Sequence, residues 1–309
     1  MNIPRKKRKI LKVLFLTLFA ILIATIFYQL HQSTGIFQPS KIDSRDIDSW
    51  DRTGEFITGS EGFTYAGKKD TCWLLIHSYA ASPAEMRGLA DKIYENFGDT
   101  IVGVRLHGHG ELPSRLEDKN LDSWYPQVEA ELEEGLKSCS YLNVVGSSLG
   151  AVLALRLAED YNLKNVYLVN PFITKSFSWY KILHFELRLR LFSQIYRYDK
   201  KTKIANINDP FGLQQHIAYW NLPYTPLRTS LQFIGETRDR LSEITEPILI
   251  AHSRTDSVAS PFGVNEIYST VQSKEKEILW LSRSNHVLLM DYDREEVISS
   301  IILFEERFR

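Results

Sequence analysis

The stretch LNVVGSSLGAVLAL, residues 142–155, decides the fold of this 309-residue chain. An apolar run leads into the sequence GSSLG, and a run rich in Ala and Leu follows, which predicts a strand, a sharp turn and a helix. Gly146 and Gly150 permit such a turn, so the Ser148 hydroxyl projects above the sheet and the Leu149 N–H stays free to bind an oxyanion. The G-x-S-x-G pattern in this context predicts a serine nucleophile at Ser148.

A serine nucleophile needs a base and an acid that orients the base, and in this kind of turn they follow the serine in the order Asp, His. Residues 247–251 form a predicted strand, and Asp256 lies in the loop behind it. Residues 278–281 form another, and His286 lies in the loop that follows. Both loops lie at carboxyl ends of parallel strands, on the same side of the sheet as Ser148. The sequence therefore predicts a catalytic triad of Ser148, Asp256 and His286.

The formal net charge of -1 hides an uneven distribution. Residues 1–30 carry six basic residues and no acidic one, so the rest of the chain holds 31 basic against 38 acidic residues. Residues 13–28 are apolar apart from two threonines and a tyrosine, and residues 10–30 together reach the roughly 20 residues that a bilayer core requires. The preceding basic cluster favours a cytoplasmic N-terminus and an extracytoplasmic body, periplasmic or extracellular.

Residues 1–30 are therefore predicted to be an uncleaved, single-pass transmembrane anchor. A cleaved signal peptide has a shorter apolar region and a small-residue cleavage site, and no such site follows Ile26. A cleaved signal and a buried helix of a soluble domain stay open as alternatives.

Residues 31–52 are polar, contain Gly35 and Pro39, and are predicted to be a linker. From residue 53 to residue 309, short apolar runs alternate with helix-length amphipathic segments. This alternation predicts an α/β domain with a mostly parallel sheet and helices on both faces. The average composition, 44% hydrophobic and 24% charged, excludes a disordered chain or a disulfide-dense scaffold. The predicted strands are 72–76, 100–106, 142–145, 166–169, 247–251 and 278–281, and the predicted helices are 83–97, 123–138, 149–161, 261–271 and 294–308.

Two further segments carry a family resemblance. LLIHSYAASPAEMRGLA, residues 74–90, resembles the segment LLLHGFTGSPxxMRxLA of α/β-hydrolases from the branch of bacterial carboxylesterases, monoacylglycerol lipases and lysophospholipase-like serine hydrolases. RLHGHG, residues 105–110, resembles the loop of that branch that ends in GHG, and residues 219–223 match its Tyr-x-x-x-Pro element. The resemblance covers the chain from about Thr71 onward. It implies the α/β-hydrolase fold, with the Tyr79 N–H as a second oxyanion donor beside Leu149.

This loop departs from the family pattern at Ser78 and Ala81, where the family has glycine. A side chain at a position that needs positive φ would strain the loop or reshape the acyl pocket. By the same resemblance, His77 and His109 shape the loops around the active site. They lack cysteine or carboxylate partners at metal-ligand spacing, so no metal and no cofactor is expected.

Residues 171–246 separate two predicted strands and are too numerous for a loop, so they are predicted to form a cap over the active site. Residues 172–203 in this cap hold eight basic and eight aromatic residues against Glu186 and Asp199. Two interpretations stand: an interfacial segment that docks on anionic lipid headgroups, or an ordinary cap helix whose aromatic side chains line the pocket. A nucleic-acid partner is not expected, because the remaining body is acidic and predicted to lie outside the cytoplasm.

Cys72 and Cys139 are the only cysteines. By the resemblance, they sit at the starts of strands that are neighbours in the family's sheet, so an oxidising compartment would allow a disulfide between them; two buried free thiols stay open as the other interpretation.

Together these features predict a membrane-anchored serine hydrolase that cleaves carboxylic esters of lipid-like substrates through an acyl-enzyme. An extracytoplasmic peptidase, a thioesterase or an acyltransferase on the same fold is the alternative. A non-catalytic binding protein is a further one, against which the order of Ser, Asp and His argues.

Overall fold

The computed structural model describes residues 5–34, 42, 44–68, 70–174, 187, 189–190, 193 and 196–309, and in the first helix the side chains of Lys9 and residues 12–26. Much of the basic and aromatic segment 172–203 thus lies outside the described residues.

Strands and helices alternate through the described chain. The strands are β1 (Arg52–Thr53), β2 (Phe56–Ile57), β3 (Phe63–Tyr65), β4 (Thr71–Ile76), β5 (Thr100–Val104), β6 (Tyr141–Ser147), β7 (Asn165–Val169), β8 (Tyr198–Lys200), β9 (Asn221–Pro223), β10 (Ile248–Ser253) and β11 (Lys276–Leu281). The α-helices are α1 (Arg5–Thr34), α2 (Arg45–Asp48), α3 (Arg87–Phe97), α4 (Leu121–Ser138), α5 (Leu149–Asp160), α6 (Pro210–Gln215), α7 (Tyr224–Thr229), α8 (Leu231–Arg240), α9 (Pro261–Thr270) and α10 (Arg294–Glu306). Single 3-10 turns occur at Pro83–Met86, Pro113–Leu116, Leu241–Glu243 and Leu288–Met290.

A seven-stranded sheet in the order β11-β10-β7-β6-β4-β5-β3 forms the centre of the fold. Its strands run parallel except β3, which pairs antiparallel with β5 at one edge. The predicted mostly parallel α/β sheet is therefore correct. The sequence pattern missed β3, because three residues are too few to show a period.

Both faces of the sheet are buried, which explains why its strands show continuous apolar runs. Alternate residues of β4 point to opposite faces. Leu74 and Ile76 join a core cluster with residues of α4 and α5, whereas Trp73 and Leu75 join a second cluster with residues of α3 and α10. The sheet thus sits between two helical layers, and its carboxyl edge stays open for loops.

The N-terminal region differs from its prediction in two ways. No helix long and apolar enough to cross a membrane is found among the described residues, whereas the sequence predicts one over residues 10–30. The second difference is in the predicted linker, where residues 45–48 form α2 and Asp46 is fully buried. Its carboxylate accepts hydrogen bonds from the backbone amides of Trp220 and Asn221 at 2.7 and 3.0 Å.

Within the predicted cap, the described residues form β8 and β9, which pair antiparallel, and α6 to α8. Tyr196 and Tyr198 of the basic and aromatic segment are buried. The hydroxyl of Tyr198 donates to Glu117 of the body. At these two positions the aromatic rings pack within the protein and are not exposed for contact with a lipid surface.

Candidate active site

The turn at Ser148 joins β6 to α5 with unusual backbone geometry. Ser148 has φ 53°, in the left-handed region that few residues other than glycine adopt. Gly146 and Gly150 are required by space and not by φ. A Cβ on Gly146 would lie 2.4 Å from the Gly150 oxygen, and one on Gly150 would lie 2.4 Å from the Ile76 oxygen. Two close backbone approaches thus require glycine at these two positions, while the strained conformation lies at the serine itself.

The three residues predicted to form the triad lie in hydrogen-bond contact. Ser148 Oγ is 2.8 Å from His286 Nε2, and His286 Nδ1 is 2.8 Å from Asp256 Oδ2. Asp256 follows β10 and His286 follows β11, at the carboxyl edge of the sheet where β6 also ends. The structure therefore brings the predicted side chains together; their catalytic roles stay a prediction.

The environment of Asp256 favours its charged form. Burial by itself would raise the pKa of this carboxyl, but attraction to His286 and hydrogen bonds hold its pKa below the ordinary value. Its Oδ1 accepts from the backbone amides of Val258 and Ala259 at 2.7 and 3.0 Å. These amides leave Oδ2 for His286. The arrangement fixes the imidazole with its proton on Nδ1 and its acceptor nitrogen toward Ser148.

Residues that the sequence analysis did not single out hold the His286 loop. Asn170, at φ 43°, donates through Nδ2 to the carbonyl oxygen of His286 and accepts through Oδ1 from the Ser253 amide. Asp291 accepts from the amides of Asn285 and Asn208, each at 2.8 Å, and so ties this loop to the cap. Asn170 directly follows β7, and this position at the open edge of the sheet was the signal available in the sequence.

His77 and His109 hold the loop that carries Tyr79. His77 Nδ1 donates to the Ser78 oxygen at 2.8 Å, while its Nε2 accepts from the Leu106 amide at 3.2 Å. His109 Nε2 accepts from the Ala80 amide at 3.1 Å. Burial lowers the pKa of His77 to about 4 and the pKa of His109 well below its ordinary value. Both rings are therefore neutral near pH 7 and serve as donor and acceptor at once.

The strain expected at Ser78 and Ala81 lies instead at Ala80, the residue directly before Ala81, which has φ 56°. Neither Ser78 nor Ala81 has positive φ, so the expectation for these two positions is wrong. The Ser78 hydroxyl instead donates to Glu85 Oε1 at 2.7 Å. The Tyr79 hydroxyl donates to the Pro223 oxygen of β9 at 2.8 Å, which joins this loop to the cap.

The two predicted oxyanion donors differ in origin. Leu149 is the first residue of α5, where a helix has no internal acceptor for its N–H. The Tyr79 N–H lies in the loop after β4. Within the described part of the chain, neither N–H donates a hydrogen bond to a protein acceptor. Both amides are therefore available to a substrate.

Cys72 and Cys139 form a disulfide in the structure, with 5.8 Å between their Cα atoms. Cys72 lies in β4, and Cys139 directly follows α4, two residues before β6 begins. The disulfide therefore joins the chain at the amino ends of the two strands that lead to His77 and Ser148.

The chain and its fold have known counterparts. The chain is 28% identical to a thermostable monoacylglycerol lipase from Bacillus sp. (strain H-257), over 80% of this chain and 95% of that one. A carboxylesterase from Bacillus subtilis (strain 168) is 24% identical over 79% of this chain and 96% of its own length. A structure from work on the metagenome-derived lipolytic enzymes LipS and LipT superposes with a TM-score of 0.73 at 23% identity, over 81% of this chain and 99% of that one. The α/β-hydrolase fold predicted from the sequence is confirmed.

Residues 106–293 match the profile of a family called Hydrolase_4 and described as Serine aminopeptidase, S33. The matched region contains Ser148, Asp256 and His286. The prediction that this chain is an enzyme of the serine hydrolase class is confirmed. The chain belongs to the Hydrolase_4 family of α/β-hydrolases.

Proposed function

We propose that the protein hydrolyses carboxylic esters through an acyl-enzyme formed on Ser148. The observation that carries the proposal is the hydrogen-bonded chain from Ser148 Oγ through His286 to Asp256, with 2.8 Å at each step. A neutral imidazole whose Nδ1–H faces a carboxylate presents Nε2 as the base for the serine proton.

The proposed reaction has two halves. Ser148 Oγ attacks the ester carbonyl carbon while His286 takes the hydroxyl proton, and Asp256 stabilises the imidazolium that forms. The amides of Tyr79 and Leu149 bind the oxyanion. His286 then gives its proton to the departing alcohol. In the second half, water attacks the acyl carbon with His286 again as the base, and the carboxylic acid leaves Ser148 free.

The proposed substrates are lipid-like esters such as monoacylglycerols. Support comes from the two curated relatives, which are a monoacylglycerol lipase and a carboxylesterase. The family description, Serine aminopeptidase, S33, keeps a peptidase as the second candidate. Thioesters and acyl transfer to alcohols use the same acyl-enzyme, so substrate preference decides between these activities.

Covalent labelling tests the nucleophile. A fluorophosphonate probe is expected to label the full-length protein and to leave Ser148→Ala unlabelled. Ser269→Ala, at an exposed serine of α9, is the matched control and keeps full labelling. Labelling of Ser148→Ala at the wild-type rate would refute the assignment.

A substrate panel tests the reaction. It contains p-nitrophenyl esters of increasing acyl length, monoacylglycerols, lysophospholipids, an acyl thioester and aminoacyl p-nitroanilides. The proposal expects the highest kcat/KM on the acyl esters. A higher kcat/KM on the aminoacyl anilides would identify a peptidase instead.

We also propose that α1 anchors the protein in a membrane, with the N-terminus in the cytoplasm and the catalytic domain outside. Support comes from the basic residues that precede it and from exposed apolar side chains such as Phe15, Leu18 and Ile21, at 69%, 60% and 54% exposure. The Cys72–Cys139 disulfide fits an oxidising compartment. The full chain expressed in a bacterium should stay with membranes after a carbonate wash, and protease added to spheroplasts should digest the catalytic domain.

A variant with Leu18 and Ile21 both changed to lysine is the matched test of that anchor. Two charges in the middle of the apolar stretch are expected to release the protein from the membrane fraction. Recovery of wild-type protein in the wash, or protection of its catalytic domain from protease, would contradict the proposal.

A further inference from the structure

A buried carboxyl group that the reaction above does not use lies beside the oxyanion loop. Glu85, in the 3-10 turn Pro83–Met86, is only 2% exposed. Its Oε1 accepts two hydrogen bonds from Ser78, one from the backbone N–H at 2.6 Å and one from the hydroxyl at 2.7 Å. Burial of a carboxyl group costs desolvation free energy unless hydrogen bonds compensate for it. Both hydrogen bonds to Oε1 come from Ser78, so they fix the position of that residue.

The contacts continue from Ser78 to the turn that carries the nucleophile. Ser78 Oγ lies 2.9 Å from the Oγ of Ser147, the residue before Ser148. Because the Ser78 hydroxyl donates to Glu85, it accepts from the Ser147 hydroxyl. Glu85, Ser78 and Ser147 thus form one directed hydrogen-bond chain between the oxyanion loop and the strand end before Ser148.

The backbone geometry links this chain to the Tyr79 N–H. In a trans peptide the carbonyl and the following N–H point in opposite directions. The Ser78 carbonyl accepts from His77, so the Tyr79 N–H of the same peptide unit is directed away from that ring. Glu85 accepts a hydrogen bond from the Ser78 N–H, which precedes this peptide unit, and His109 accepts one from the Ala80 N–H, which follows it. The peptide between Ser78 and Tyr79 is therefore held at both ends.

We propose that Glu85 is a positioning residue, which acts through Ser78 to aim the Tyr79 N–H at the oxyanion of the reacting ester. The proposal rests on the ester hydrolysis proposed above. It gives Ser78 a role as well: its hydroxyl adds a bond to Glu85 that a glycine at this position cannot make.

The two carboxylate oxygens of Glu85 differ in their contacts, and this difference shows which substitution keeps the hydrogen bonds to Ser78. Within the described residues, Oε2 is buried without a hydrogen-bond partner. Burial raises the pKa of Glu85 to about 7, against the opposing effect of the Ser78 hydrogen bonds. Whether Glu85 is charged or neutral, Oε1 stays an acceptor. A glutamine keeps that acceptor and the shape of the side chain, whereas a leucine keeps only the volume.

The test compares Glu85→Gln and Glu85→Leu in the full-length protein with p-nitrophenyl butyrate. Loss of one well-aimed oxyanion donor lowers kcat by about 10²- to 10³-fold in serine hydrolases. We expect a loss of this order for Glu85→Leu with KM within about threefold, and rescue to within about tenfold by Glu85→Gln. Glu131→Leu, at an exposed position of α4, is the control and keeps the wild-type kcat.

The inhibition constant of a trifluoromethyl ketone distinguishes a role of Glu85 in the oxyanion site from a role in stability alone. Its adduct with Ser148 places an oxyanion in the same site, so its inhibition constant should rise in proportion to the loss of kcat/KM across the two variants. If Glu85→Leu does not fold, Ser78→Ala decides, because it removes the hydroxyl's bonds to Glu85 and Ser147 and keeps the bond from the Ser78 N–H. We expect its kcat to fall by roughly three- to tenfold.

Three results would overturn the proposal: wild-type kcat in Glu85→Leu, an equal loss in Glu85→Gln and Glu85→Leu, or, where leucine prevents folding, wild-type kcat in Ser78→Ala. Failure of the proposed function looks different. In that case the wild-type protein itself would show no ester hydrolysis and no labelling of Ser148.

Discussion

The side chain of Asn170 holds the main chain of His286. Asn170 Nδ2 donates to the His286 oxygen at 2.6 Å and to the Asn285 oxygen at 3.1 Å, across more than 110 residues of sequence. Its Oδ1 accepts from the Ser253 amide at 2.9 Å, at the end of the strand that leads to Asp256. A single amide group therefore links the loops that carry His286 and Asp256.

Replacing Asn170 tests this link. Asn170→Gly accepts the φ of 43° without strain and removes only the side chain. We expect kcat to fall by roughly 10²-fold, since small displacements of catalytic groups cost about that much. Asn170→Asp should lose more, because a carboxylate oxygen would face the two carbonyl oxygens. Steady-state kinetics measure both; an unchanged kcat in Asn170→Gly would show that the loop holds its position without Asn170.

Asp256→Asn tests the tautomer of His286. The amides of Val258 and Ala259 hold the oxygen of an asparagine at Oδ1, so its NH₂ group faces His286 Nδ1. That nitrogen must then accept, and Nε2 carries the proton and ceases to be a base. We expect kcat to fall by about 10⁴-fold with little change in thermal stability. Asp239→Asn, at an exposed site of α8, is the control, and a loss of less than tenfold in Asp256→Asn would contradict this account.

The pH dependence of stability tests the burial of Glu85. The carboxyl ionises near pH 4.5 in the unfolded chain, but burial raises its pKa to about 7 in the folded protein. Folding therefore favours the protonated form. The contribution is fully present below about pH 4.5 and is lost as the pH rises to about 7, a change of a few kcal/mol. Urea unfolding of wild type and Glu85→Gln between pH 4 and 8 measures it, because every other ionisable group is common to the two proteins.

The free energy of unfolding of wild type minus that of Glu85→Gln should fall from about pH 4.5 to 7 and then level off. A difference that stays constant over this range would show that Glu85 has an ordinary pKa.

Glu305 is expected to stabilise the fold without affecting the reaction. Its carboxylate is fully buried and accepts from Asn143, Asn165 and Tyr167 at 2.8 to 3.0 Å and from Lys164 at 2.7 Å. Glu305→Leu leaves these donors unpaired, so we expect a loss of about 3 to 5 kcal/mol in urea unfolding.

Because these groups lie at the amino ends of β6 and β7, folded Glu305→Leu should react with the fluorophosphonate probe at the wild-type rate. Glu306→Leu, exposed on the next residue, is the control for stability. Equal stability of the two variants would contradict the prediction.

Replacing Asp46 tests whether α2, in the predicted linker, supports the candidate active site. The Asp46 carboxylate accepts hydrogen bonds from the amides of Trp220 and Asn221, at the start of β9. The same strand contains Pro223, whose oxygen accepts from the Tyr79 hydroxyl. Asp46→Ala leaves buried amides unpaired and should cost about 2 to 4 kcal/mol. It should also lower kcat, because β9 then supports the Tyr79 loop less firmly.

Chemical unfolding and steady-state kinetics measure these two effects. Asp48→Ala, exposed in the same short helix, should match wild type in both. A fully stable and active Asp46→Ala protein would show that residues 45–48 are an ordinary linker.

The sequence alone determined the sheet and the place in it of the three residues of the predicted triad. Continuous apolar runs predict strands that are buried on both faces, and strands β4, β6, β7, β10 and β11 lie where those runs predict them. Ser148, Asp256 and His286 each follow such a strand, and the carboxyl ends of parallel strands share one edge. Local periodicity and chain order are therefore sufficient to predict that these three residues meet.

Only the tertiary structure decided what holds them there. Asn170, Glu85 and Asp46 act through hydrogen bonds to residues that are distant in sequence or lie across a turn, and no local pattern records such partners. The strain expected at Ser78 belongs to Ala80, because φ depends on how the whole loop is tied to His77 and His109. Hydrophobic pattern is a property of neighbours in sequence, whereas the pairing of buried polar groups depends on which residues the fold brings into contact.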